Sequence, residues 1–148
     1  MSRLFKGRPV LSGTGRGEAL VSHGGFNTYA TFFTSIHVPM DKAICADSGN
    51  VDLYCKDLAG KIICLPKTTG STSGGAVWQR LVKMGNAPKA MLFSQHIDSL
   101  VAGGLLVADI WADHRIITVD QLGDAFLESV RDGDVIEIVE DGTVKIGV

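Results

Sequence analysis

Between residues 67 and 75 the chain reads Lys-Thr-Thr-Gly-Ser-Thr-Ser-Gly-Gly. Hydroxyls at Thr68, Thr69, Ser71, Thr72 and Ser73 stand among Gly70, Gly74 and Gly75, which let a backbone turn tightly and approach a ligand. Apolar residues then recur at helical spacing, Ala76, Val77, Leu81 and Met84, so the loop opens onto a helix start. The free N–H groups and dipole of a helix start attract anions. A carboxylate or a phosphate is the chemistry this loop suits, and Lys67 adds a nearby positive charge. No lysine follows Gly74 or Gly75, so the loop is not the Gly-x-x-x-x-Gly-Lys phosphate loop, and neither Ser71 nor Ser73 sits in Gly-x-Ser-x-Gly. Ser, Thr and Gly also gather at helix starts simply as caps, which is the commoner outcome. Residue types leave the anion site and the cap both open.

The other polar residues are more scattered. His23, His37, His96 and His114 form no pair at metal-ligand spacing, and Cys45, Cys55 and Cys64 match no metal motif. Cys64 lies in the apolar run Ile62-Ile63-Cys64-Leu65 and reads as a buried thiol. Asp109, Asp113 and His114 gather around Trp111 and read as a solvated turn rather than the wall of a cleft. Asp47 and Asp52 read as loop residues. Arg16, set among glycines, has the reach for a carboxylate, although a surface arginine is the commoner outcome.

The elements that must position the loop follow from periodicity. Residues 60–66 form the clearest strand, a β-branched apolar run stopped by Pro66. A helix from the Ala76 region ends at Gly85. Residues 90–93 and 116–119 read as strands, residues 100–108 as a short helix with a glycine pair inside it, and residues 121–130 as a helix with Leu122, Phe126 and Val130 on one face. Asp141-Gly142 marks a hairpin between residues 135–139 and 143–146. Residues 10–21 read as extended segments broken by Gly13, Gly15 and Gly17. Residues 23–50 show no clear period and read as strands and loops. The pattern predicts one α/β domain over residues 1–148 with high strand content.

Composition sets outer limits. Hydrophobic residues make up 45% and charged residues 20% of the 148 residues, which excludes a disordered tail. Lys+Arg number 14 against 16 Asp+Glu, a net charge of -2, which argues against nucleic acid as the main partner. No apolar run approaches the ~20 residues a membrane helix needs, and the basic start lacks the apolar stretch of a signal peptide. Unpatterned cysteines fit a reducing, cytoplasmic compartment.

Several stretches together resemble the small, swivelling-domain component of the aconitase X family. They are Gly15-Arg16-Gly17-Glu18-Ala19-Leu20-Val21-Ser22, residues 58–66 leading into the 67–75 loop, Gly85-Asn86-Ala87-Pro88-Lys89-Ala90, and the late pieces Gly133-Asp134-Val135 and Gly142-Thr143-Val144. The resemblance covers nearly the whole chain. It departs from the family pattern in three places: Arg16 stands where the family has an acid, His23-Gly24-Gly25-Phe26-Asn27 falls early for the family's Gly-Gly stretch, and Ile116-Ile117-Thr118 replaces a proline-opened strand.

The resemblance implies a strand-rich swivelling β/β/α domain of the aconitase superfamily with flanking helices. It implies a hydro-lyase that works only with a large catalytic subunit, whose iron or iron–sulfur centre would activate a small hydroxy acid; this chain would bind no metal. Family substrates include cis-3-hydroxy-L-proline, the expected one, and mevalonate 5-phosphate, the alternative. Ser71 aligns with the serine base of the aconitase relatives, with Thr69, Gly70, Thr72, Ser73 and Gly74 expected at the substrate. A rival expectation is a stand-alone anion-binding module without chemistry; a third is a purely structural subunit. Phosphohistidine carrier domains share the swivelling architecture, but no histidine lies in residues 68–75. An obligate partner predicts an exposed apolar patch beside the loop, and a stand-alone module predicts none.

Overall fold

Ile62–Leu65 and Ala90–Phe93 are buried at every position, as continuous apolar strands must be when both faces of a sheet are covered. The computed structural model describes residues 3–38, 40–70 and 74–147. In chain order its elements are β1 (Arg3–Lys6), β2 (Arg8–Leu11), β3 (Gly15–Val21), β4 (Phe26–Asn27), α1 (Thr28–Thr31), α2 (Phe33–His37), β5 (Ile62–Leu65), β6 (Thr68–Thr69), α3 (Gly74–Met84), β7 (Ala90–Phe93), α4 (Ser99–Trp111), β8 (Ile117–Asp120), α5 (Asp124–Ser129), β9 (Val135–Ile138) and β10 (Thr143–Ile146).

Eight strands form one sheet in the order β1-β10-β9-β3-β5-β7-β8-β2. Its two end strands are consecutive in the chain, separated only by Gly7, so the ribbon curls back on itself. Strand β3 divides it: Gly15 to Glu18 pair antiparallel with β9, whereas Ala19 to Val21 pair parallel with β5. One half is therefore antiparallel, and the other is parallel through β5, β7 and β8. The two halves enclose a core of Ala19, Val21, Ile62, Cys64, Ala90, Leu92, Ile136, Ile138, Val144 and Ile146, among others. Alternate residues of the same strands, Leu20, Ile63, Leu65, Met91 and Phe93, face a second core under α3 and α4. The layers are sheet, sheet and helix, the expected swivelling β/β/α arrangement.

Closure is secured at β2 and β8. Asp120 is fully buried, and Arg8 donates to both its oxygens at 2.9 and 2.8 Å while the Ile97 N–H donates at 2.8 Å. On the helix side, α3 and α4 cross closely at Gly75 and Gly104. A Cβ on Gly104 would stand 2.3 Å from the Gly75 carbonyl oxygen, so no larger residue fits there.

Several expectations need correction. Among the described residues of 23–50 there are the two short helices α1 and α2 and only two strand residues, Phe26 and Asn27. The reason is tertiary: Asn27 Oδ1 accepts the Ala30 N–H at 3.0 Å, and Phe32 and Ile36, four residues apart, turn into the core, where the Phe32 and Trp78 rings meet edge-on at 5.5 Å. The helix expected over 121–130 starts only at Asp124, because Gln121 and Gly123 hold positive φ and the Leu122 N–H instead donates to the Phe93 carbonyl. The expected helix over 100–108 extends over Ser99–Trp111. Strand β1 was not anticipated.

Candidate functional site

Three segments meet at the carboxyl ends of the parallel strands. The first is β4 with the start of α1, the second is β6 with Gly70, and the third is the start of α4. They enclose a cleft of about 290 Å³ lined by Asn27, Thr28, Tyr29, Thr68, Thr69, Gly70, Gly75, Asp98, Ser99, Leu100 and Val101. Strand β5 delivers the second segment to it. Pro66 ends that strand, and β6 then pairs in parallel with β4, Phe26 opposite Thr68 and Asn27 opposite Thr69. Gly70 follows with φ +108°, and a Cβ there would stand 3.1 Å from Asn27 Oδ1. Both the backbone angle and the Asn27 amide therefore require glycine at this corner.

Asp98 ties two of the segments together. Its Oδ1 accepts the Val101 N–H at 2.9 Å, capping α4, and its Oδ2 accepts from the Thr68 hydroxyl. Helices α3 and α4 both begin at the cleft, so their first-turn N–H groups and dipoles make it favourable to negative charge. Asp98 is the one charged residue among the described lining residues and opposes that field. Thr28 is 2% exposed, and among the described residues its buried hydroxyl has no hydrogen-bond partner.

Of the residues expected from sequence, Thr69 and Gly70 line the cleft and Gly74 opens α3. Ser71, Thr72 and Ser73 lie outside the described residues. Lys67 is exposed and is not among the lining residues. Asn27, Thr28, Asp98 and Ser99 were missed. Their signal was a capping residue before an apolar run, Asn27-Thr28 ahead of Phe32 and Ile36, and Asp98-Ser99 ahead of residues 100–111.

The other polar candidates lie elsewhere. Arg115 forks onto Asp109 at 2.9 and 2.8 Å, holding that carboxyl below its usual range. His23 lies 3.4 Å from Asp52, and the His37 and His96 rings bond to the Phe33 and Ile97 carbonyls. Burial pushes the Cys64 and Cys45 thiols up, which disfavours the thiolate that a metal or a nucleophile needs. Among the described residues no group of three or more His, Cys, Asp or Glu is placed to hold a metal ion, and no helix is long and apolar enough to cross a membrane.

Comparison with known proteins places this geometry. The model of the aconitase X swivel domain matches residues 4–146. The phosphomevalonate dehydratase small subunit of Thermococcus kodakarensis is 30% identical over 139 residues, covering 93% of this chain and 98% of the relative. That of Methanocella arvoryzae is 30% identical over 142 residues, with 96% of each covered. The crystal structure of Thermococcus kodakaraensis aconitase X in its holo form superposes with a TM-score of 0.79 at 28% identity, over 97% of this chain and 98% of that one. With the layered sheet, the loop into α3 and the match over nearly its whole length, the chain belongs to the aconitase X swivel-domain family, whose relatives here are small subunits of a dehydratase.

Proposed function

We propose that this chain is the small subunit of a hydro-lyase that dehydrates a phosphorylated 3-hydroxy acid of the mevalonate 5-phosphate type, its large subunit completing the active site. The chain acts as one swivel unit in this reading. The name shared by the relatives supports the substrate class; the expected cis-3-hydroxy-L-proline finds no support in them and gives way to the alternative. The observation that carries the reading is that the cleft is half of a site. It offers two helix starts and the Thr69–Gly70 corner. Among the described residues it offers no cation and no cluster of three or more metal-ligating side chains.

A stand-alone module for anions is disfavoured by the same observation. With Asp98 as the one charge on the described wall, the field of the two helix starts is partly offset, and an isolated cleft holds a phosphate or a carboxylate weakly. The balancing cations must then come from a partner.

Dehydration breaks the C–H bond beside the carboxylate, forms a carbon–carbon double bond and releases the neighbouring hydroxyl as water. Ser71 takes the proton in this reading. A serine oxygen is a useful base only when its anionic form is stabilised, and the start of α3 directly after the segment, with the start of α4 across the cleft, supplies that field. Thr69, Gly70, Thr72, Ser73 and Gly74 hold the substrate through hydroxyl and backbone N–H groups. An iron or iron–sulfur centre in the large subunit would supply the Lewis acidity that lets the hydroxyl leave.

The test is turnover of mevalonate 5-phosphate by the assembled enzyme. Ser71→Ala lowers kcat by about 10³-fold while the subunits still co-elute. A near-normal rate in that variant removes Ser71 as the base. An assembled wild-type enzyme that dehydrates cis-3-hydroxy-L-proline and leaves mevalonate 5-phosphate untouched overturns the substrate assignment.

A further inference from the structure

Helix α4 is apolar on two sides. Val101, Gly104, Leu105 and Ala108 pack inward. On the opposite side Leu100, Leu106, Val107, Ile110 and Trp111 are 47, 46, 40, 63 and 74% exposed, and Gly103 leaves an open notch among them. Their spacing of three and four residues makes one continuous stripe. A solvated helix carries charged residues on its outer face, as neighbouring α3 does with Arg80 and Lys83. The outer face of α4 has none. Its one charged residue, Asp109, is turned to the flank and held by Arg115.

We propose that this outer face of α4 is the seat of the large subunit; the inference rests on the functional reading above. Three observations favour that occupant. The stripe begins at Leu100, which also lines the cleft, so a partner that brings cations and metal chemistry to the cleft necessarily lies over the head of the stripe. Five large apolar residues 40–74% exposed on one stripe make a patch of the size that, on a monomer, is often functional, and this is the apolar centre of an interface contributing about 800 Å² per partner. The relatives are named as small subunits, so a larger protein partner is the expected neighbour. The complementary surface is an uncharged, apolar groove at the lip of the large subunit's active-site cleft, with Trp111 and Ile110 as anchors.

The test is the affinity of the purified large subunit for the wild-type chain and for Ile110→Glu, Trp111→Glu and Lys83→Glu. The two α4 variants weaken the complex on the order of a hundredfold, Lys83→Glu leaves it unchanged, and the thermal midpoint of the free chain stays the same in all three. Wild-type affinity in both α4 variants overturns the assignment of the surface. A free chain that dimerises through the stripe, while its α4 variants still bind the large subunit, assigns the face to a second copy instead. A wild-type chain that never associates with the large subunit overturns the functional reading and this surface with it.

Discussion

The two hydrophobic cores on either side of the parallel strands are built differently. The core between the sheet halves draws mainly on strands, and their inward residues simply alternate with outward ones: Ile136 and Ile138 against Val135 and Glu137, Val144 and Ile146 against Thr143 and Lys145. The core under the helices is assembled from distant pieces. Phe26, Phe32, Ile36, Ala43, Cys45, Leu53 and Leu58, all from the long connection between β3 and β5, close over Trp78 and Leu81. The candidate cleft lies on the rim of this second core, because the same connection carries Asn27, Thr28 and Tyr29. The regular core supports the fold at large, while the irregular one also sets the position of one wall of the site.

Three substitutions separate these roles. Trp78→Ala has the largest effect: it removes a fully buried ring and its edge contact with Phe32, and it lowers stability by about 4 kcal/mol. It also reduces turnover per folded complex, since Phe32 directly follows α1. Denaturant titration with a parallel activity assay checks both. Ile138→Ala, in the core between the sheet halves, costs about 3 kcal/mol and leaves turnover per folded complex unchanged. Equal damage to turnover from both variants would erase the distinction.

The smallest effect is at the β9–β10 turn. Hydrogen bonds from the Thr143 hydroxyl, the Lys6 ammonium and the Thr143 N–H hold the Asp141 carboxyl down to about 2. A carboxyl depressed in the fold stabilises it above the ordinary carboxyl range, and that contribution is lost as the pH falls through the folded value. Wild type is therefore slightly more stable than Asp141→Asn at pH 5, and the difference closes between about pH 4 and about pH 2. Acid melts of the two chains, with Ile138→Ala as a reference that shifts equally at both pH values, show it.

The sequence was most legible where local pattern and tertiary role agree. The runs Ile62–Leu65 and Ala90–Phe93 and the hairpin at Asp141-Gly142 appear as read. The glycine and hydroxyl loop was found because its signal is compact in sequence, and Thr68, Thr69, Gly70 and Gly75 of it line the cleft. Residues 23–50 were misread because their Thr, Phe and Ile content favours strands, whereas α1 and α2 are held by the Asn27 cap and by burial of Phe32 and Ile36. Strand β1 was missed because its partner is β10, at the other end of the sequence. Asp98 stood too far from the loop for spacing to connect it to Thr68. No local pattern records which loops share a rim.

The junction at Gly7 has a consequence for how the molecule is made. Strand β1 is synthesised well before its partner β10, yet Arg3 pairs with Ile146 and Arg8 with Asp120. The ribbon cannot close until β10 has been synthesised. Until β8 and β10 emerge, the N-terminal strands wait without partners and with their backbone groups open to any other strand. Once closed, the main sheet presents little free edge to a neighbour, and the apolar stripe on α4 stays exposed.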